Sequence, residues 1–303
     1  QIIDVGGVAL PEIVAAGRAR LREVGTTNRA TIDDFVPFAQ SEAGLVLQLS
    51  PAQFGFRGEH SQPSLADLAA FARSHRLPFV AHLGIGGLVD LPSGAADVAS
   101  AAQAIQAGVD LCVVAGEGLA GGPACQIVLG RREMVERLVE HPLRAALRTD
   151  RYTLAALDAT LDLYLAQPIA WSSIPLAGLL SAPVENLKNR AERMAAQWSA
   201  LANVESATAV ESVAALTPSG SSSDSLASWS VIVRPRRFSV AEVDARLRRQ
   251  SPAVVAKIVR DAAQGDSLRI DLRGVLPRQD VDLVDAVEEA LADSTHTASG
   301  TAT

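Results

Sequence analysis

Lysine is nearly missing from this 303-residue chain: only Lys188 and Lys257 occur among its 27 basic residues, and the rest are arginine. Any chemistry that needs a lysine amine therefore has two candidates. Cysteine is equally scarce. Cys112 and Cys125 are too few for a disulfide framework in a protein of this size. Both sit among small apolar residues, as buried structural thiols do, without the CxxC spacing or nearby histidines of a metal site. No apolar run approaches the ~20 residues of a membrane span. No charged-then-apolar leader opens the chain, so a cytoplasmic protein is expected. The net charge of −7 argues against an extended nucleic-acid surface, though not against local arginine clusters. The first residue, Gln1, falls inside an expected strand without an initiator Met, which points to further sequence upstream.

What is present is an α/β rhythm. Gln1–Val5 reads as a strand, with a turn at Gly6-Gly7 and a helix from about Pro11. Arg22–Arg29 reads as a short strand opening into a polar loop, and Thr31 or Asp33 is placed to cap the next helix. Leu45–Leu49 and Leu77–Leu83 are continuous apolar strands of the kind buried in a parallel sheet, and Ser64 caps a helix over Leu65–His75 between them. A helix over Ala95–Ala107 leads into two further buried strands, Leu111–Val114 and Ile127–Leu129. Glycine-rich turns follow two of these strands, at 84–87 and 115–122. In a mostly parallel sheet they line one edge, where ligands are held. The bland alternative for 115–122 is a tight connection that holds nothing.

A helix over Glu133–Glu140 is expected to break at His141-Pro142, because proline disfavours the helical conformation of the residue before it. Thr153–Leu165 is a long helix with an apolar stripe. Beyond it the composition changes. A helix over Pro183–Ala202, strands near 208–215 and 228–234 around a Ser-rich loop at 217–225, a helix at 239–249, strands at 254–259 and 267–272, and a helix over Pro277–Leu291 describe a small α+β domain. The expected division is a large domain with its connecting helix at 1–165, a small domain at 166–292 and a disordered tail at 293–303.

Several stretches resemble one family in the same order along the chain. Glu23-Val24-Gly25-Thr26-Thr27-Asn28-Arg29 is similar to the EVGTTNR run of bacterial selenocysteine synthase, the L-seryl-tRNA(Sec) selenium transferases. Gly121-Gly122-Pro123, His141-Pro142-Leu143 with Arg148, Thr153–Leu157 with Ala159-Thr160-Leu161, and Asp271-Leu272-Arg273 with Val275-Leu276-Pro277 match that family too. The resemblance implies a fold-type I pyridoxal-phosphate (PLP) enzyme, with a large α/β domain carrying the cofactor and a small C-terminal domain. It implies conversion of serine on its tRNA to selenocysteine with selenophosphate, and assembly into homo-oligomers, dimers or rings of dimers. The family's tRNA-binding domain and the first part of its large domain would precede Gln1.

Carried over residue by residue, the resemblance also marks losses. PLP catalysis needs a lysine for the internal aldimine and an acid opposite the pyridine nitrogen. The family's lysine run, laid without a gap on Ala115–Pro123, puts its lysine at Gly118, beside Gly116 and Glu117. The acid falls on His82, before Gly84 and Gly86; a neutral imidazole cannot hold a pyridinium charge as a carboxylate does. The family's H-x-S-N segment falls on Ser50–Gln53, with neither the histidine nor the Ser-Asn pair. The implied catalytic set is therefore empty. The implied cofactor contacts are His82, Gly84, Gly86, Gly116, Glu117 and Gly118, and no metal is expected.

The implied substrate side is better kept. Thr26, Thr27, Asn28 and Arg29 match fully, although Thr-Thr-Asn equally suits a helix cap. Arg148 matches one of two anion-holding arginines; the other position is Ala145, with Arg144 beside it on a different helical face. Three functions follow: a family member impaired in PLP chemistry, an active transferase or lyase holding PLP noncovalently, or a non-catalytic binding or regulatory subunit.

Overall fold

The structure, a computed structural model, describes residues 4–5, 7–40, 43–50, 58–90, 99–166, 168–169, 171–215, 225–261, 263 and 265–292. The Ser-rich loop and the tail expected from the sequence lie outside these residues, apart from Ser225. The chain divides into two units, Gln1–Gly178 with Ala215–Ser225, and Leu179–Ala214 with Leu226–Thr303. No helix among the described residues is long and apolar enough to cross a membrane.

In the first unit a two-stranded ribbon, β1 (Asp4–Val5) and β2 (Val8–Ala9), leads into α1 (Leu10–Ala16), where Pro11 sits in the first turn. No strand forms at Arg22–Val24, contrary to expectation. Instead Arg29 alone bridges to Ser61 in parallel fashion. The glycine and hydroxyl residues beside it favour a turn over a ladder. Thr31, not Asp33, opens α2 (Ile32–Ala39): its N–H and hydroxyl both donate to the Asp34 carboxylate, at 2.7 and 2.8 Å.

The main sheet has the order β3 (Val46–Leu49), β4 (Phe79–His82), β5 (Leu111–Ala115), β6 (Gln126–Gly130). The first three strands are parallel and β6 runs antiparallel to β5. α3 (Leu65–Ser74) connects β3 to β4, and α4 (Ala101–Ala107) precedes β5. Both helices start on a capping serine: Ser64 Oγ accepts from Asp67 N–H and Ser100 Oγ from Gln103 N–H. α4 ends at Gly108 in the left-handed conformation (φ 94°), where a side chain would also strike the Arg73 guanidinium. Leu68, Phe71, Phe79, Leu83, Cys112 and Val114 lead the core that joins these helices to the sheet. β6 is not the buried strand that its apolar run suggested. It is the sheet's edge, with alternating exposure and Val128 37% exposed, because an edge strand covered on one face needs only every second residue apolar.

α5 (Arg132–Glu140), α6 (Arg144–Leu147) and α7 (Arg151–Leu165) follow, with the chain extended at His141 before Pro142 as expected. Asp150 caps α7, accepting from the N–H groups of Tyr152 and Thr153. A short helix, α8 (Pro175–Leu180), ends the segment.

The second unit packs α9 (Val184–Ser199), α10 (Val240–Leu247) and α11 (Asp280–Leu291) with a sheet of order β7 (Val204–Ala215), β8 (Ser225–Pro235), β10 (Ser267–Asp271), β9 (Lys257–Val259), in which β10 runs antiparallel to both β8 and β9. Its core is built on Leu187, Met194, Trp198, Val231, Leu247 and Leu268. Arg190, nearly buried, pairs with Asp280, and Arg273 donates to the carbonyls of Leu179, Leu180, Ala182 and Ala227.

Candidate functional site

The two glycine-rich turns lie at the C-terminal ends of β4 and β5, and the backbone binds them together. Ala115 N–H donates to Gly84 O (3.0 Å), Leu119 N–H to Ile85 O (2.8 Å), and Leu83 N–H to Val113 O (2.8 Å). His82, Gly84, Gly86, Gly116, Glu117 and Gly118 are thus brought to one edge of the sheet, where ligands of parallel sheets bind.

Gly118 is buried, and the space a side chain would use there is already filled. A Cβ at 118 would lie 2.7 Å from Ile85 O, 2.8 Å from Ile85 Cα and 3.0 Å from Ile85 C. These are backbone atoms, which cannot swing aside as a flexible side chain can. Gly116 is equally enclosed: a methyl group there would meet Pro123 O at 2.5 Å and Cys125 Sγ at 2.7 Å. The glycines here serve close approach of one backbone to another. Glu117 points outward and its carboxylate accepts from Cys125 N–H at 3.2 Å, closing the turn from outside. On the other side Tyr164 of α7 donates its hydroxyl to Ala120 O at 2.9 Å, and burial pushes the phenol above its usual range.

His82 is half-buried. Its Nδ1 accepts the Gly84 N–H at 3.3 Å, which leaves the ring proton on Nε2. Desolvation lowers its pKa, so the neutral ring is favoured. Such an imidazole presents a donor, not an acceptor, at Nε2. A protonated pyridine nitrogen needs an acceptor. Ser50 donates its N–H to His82 O at 2.9 Å; residues 51–53 of the same expected segment lie outside the described residues.

Neither lysine is in the first unit. Lys188 stands over the Trp229 ring, 5.7 Å from its centroid, and Lys257 is exposed on β9; both belong to the second unit. Burial raises the pKa of Cys112 and of the partly exposed Cys125, the latter also through Glu117, which favours the thiol over the thiolate at both. No group of His, Cys, Asp and Glu among the described residues is disposed to hold a metal.

The expected substrate residues form a separate turn. Thr26 donates its N–H (2.7 Å) and hydroxyl (3.0 Å) to Arg29 O, Asn28 Nδ2 donates to Glu59 O, and Ser61 N–H donates to Asn28 O. Thr26, Thr27, Asn28 and Arg29 are all exposed, and Thr-Thr-Asn builds this turn while Thr31 caps the helix. Arg144 on α6 and Arg148 after it are exposed and make no side-chain hydrogen bond or ion pair among the described residues. Nor does any hydrogen bond or ion pair among those residues join Arg29, Arg144 or Arg148 to the glycine turns. Ile85 and Tyr164 carry no signal in the sequence, because the first acts through its backbone and the second on a residue 44 positions away.

Comparison with known proteins agrees over nearly the whole chain. The family model for L-seryl-tRNA selenium transferase matches residues 1–276. The L-seryl-tRNA(Sec) selenium transferase of Moorella thermoacetica is 32% identical over 299 residues, covering 98% of this chain and 63% of the relative. That of Carboxydothermus hydrogenoformans is 31% identical, covering 92% of this chain and 59% of the relative. The chain therefore spans about three-fifths of the length of these relatives. Among solved structures, a D-glucosaminate-6-phosphate ammonia-lyase superposes with a TM-score of 0.60 at 16% identity, covering 94% of this chain and 67% of that one. That likeness bears on the fold alone, and it supports the α/β architecture expected of a fold-type I transferase.

Proposed function

This chain belongs to the L-seryl-tRNA selenium transferase family, and we propose that it is a member which keeps the fold but does not form the family's covalent bond to PLP. The observation that carries this is Gly118. It stands where the resemblance puts the lysine, and the backbone of Ile85 fills the space beside it. The rest of the edge supports the same reading. His82 keeps its ring proton on Nε2, a donor where a pyridinium nitrogen needs an acceptor, and the first unit has no lysine at all. The residues present do not fit a PLP held as an aldimine, so no step of the family's conversion of seryl-tRNA is routed through this chain alone. The experiment is to add PLP to the purified protein, record its absorbance, treat with borohydride and measure the mass. No aldimine band and no trapped adduct is the expected result; an adduct on Lys188 or Lys257 would overturn the proposal.

A binding role is the second reading, and the exposed arginines favour it. The Thr26 hydrogen bonds hold Arg29 in a fixed turn with its guanidinium outward, and Arg148 is free of internal partners among the described residues. Such arginines suit a phosphate-like anion. Chemical-shift or calorimetric titration with inorganic phosphate, compared with Arg29→Ala and Arg148→Ala, tests this; equal binding by all three proteins refutes it.

A further inference from the structure

Asp271-Leu272-Arg273 is a run that neither the glycine turns nor the exposed arginines employ, and its two charged side chains converge on the places where the chain changes units. The units are not joined at one point. The chain passes from the first to the second between Gly178 and Leu179, returns between Ala214 and Ala215, and passes back between Ser225 and Leu226. On the second-unit side, each of these three crossings is held by Asp271 or Arg273.

Arg273 takes the first and the third. Its Nη1 donates to Leu179 O (3.1 Å), Leu180 O (2.9 Å) and Ala182 O (3.2 Å), at and just beyond the C-terminal end of α8, while Nε and Nη2 donate to Ala227 O. A guanidinium placed there answers both the orphan carbonyls and the negative end of a helix. Asp271 takes the second and, again, the third. Its carboxylate accepts from Ser212 Oγ at 2.8 Å, just before the second crossing, and from Ser228 Oγ at 2.7 Å, just after the third. The Arg273 N–H donates to the same carboxylate at 3.0 Å, so both anchors sit on one short turn, Leu272–Gly274 and the residue that caps it.

The strand register explains the placement. β10 ends at Asp271, opposite Ser230, whereas β8 begins at Ser225. The start of β8 therefore overhangs the end of β10, and the turn after β10 closes onto that overhang.

This is a costly way to gain stability. Arg273 is 6% exposed, and its guanidinium hydrogen bonds go to carbonyls. Burial pushes its pKa down, against the pull of Asp271. An apolar side chain of similar volume is often as stable as a buried charge. What it cannot do is hold separate passages of the chain at fixed points, which takes directional hydrogen bonds.

We propose that Asp271 and Arg273 form a clasp that gathers the three crossings into one pivot, so that loosening any one of them loosens the other two. The device is independent of whether PLP binds. The test is amide hydrogen exchange of the full chain, read by mass spectrometry on peptides covering 176–183, 209–215 and 226–230, with 187–198 in α9 as the reference. Asp271 makes no hydrogen bond to 176–183 among the described residues, yet Asp271→Asn should speed exchange there by about tenfold. Arg273→Lys should likewise speed exchange at 209–215, which Arg273 does not touch, by about tenfold. In both variants 187–198 should keep its wild-type rate. Ser212→Ala removes a single hydroxyl and serves where either charge variant does not fold; it should speed exchange at 176–183 about threefold. Changes confined to the segments that each altered side chain touches would overturn the proposal. So would an equal rise across 187–198, as expected of a merely structural arginine, or no change at all.

Discussion

α7 and α9 are nearly twins in length, 15 and 16 residues, and both carry an apolar stripe, but they live differently. α9 buries Leu187, Arg190, Ala191, Met194, Ala195 and Trp198 in the second unit; α7 buries nothing. Where α9 brings a charge inside, as at Arg190, a carboxylate meets it and Val275 O takes a further hydrogen bond. Where α7 carries charge, at Asp158 and Asp162, it points away from its own chain. The same helical periodicity thus serves a closed core in one place and an open face in the other. Amphipathic spacing says that a stripe will be covered without saying by which chain.

Three substitutions sharpen that contrast. Trp198→Ala, at a fully buried position, should cost about 3–5 kcal/mol of stability by chemical denaturation, since it leaves a cavity at the centre of the second core. Gly118→Ala should cost about 1–3 kcal/mol, because the added methyl meets backbone that has to shift; a neutral result would show the turn to be looser than the strands it joins. Leu154→Ser, half exposed on α7, should change stability by chemical denaturation by no more than ~0.5 kcal/mol. A large loss of monomer stability there would make α7 a core helix after all.

Much of the fold is legible in the sequence because its signals are local. Ser64 precedes the helix expected after it, and the break at His141-Pro142 falls where proline dictates, whereas the helix expected from Ala95 starts only at Ala101, behind its capping Ser100, with residues 95–98 outside the described residues. The glycine-rich strand ends are legible for the same reason. Two expectations fail through non-local causes. Ile127–Leu129 reads as a buried strand, yet β6 is an edge, and edge or centre is decided by which strands pair. Arg22–Val24 reads as a strand, yet it finds no partner apart from the bridge at Arg29. At the candidate site the sequence yields the absence of lysine and the place of Gly118. It cannot yield the filling of that place, because Ile85 enters through atoms that every residue possesses.

The contact between Ile85 and Gly118 also bears on how such a chain can change over time. With backbone seated where a Cβ would go, every replacement of glycine at position 118 meets that clash before any benefit of a new side chain is realised. A lysine there, or any other reactive group, would require the turn after β4 to be remodelled first. The glycine acts as a ratchet: two neighbouring turns have settled into mutual dependence, so innovation in this family member is steered away from the strand ends and toward its exposed arginines and helical faces.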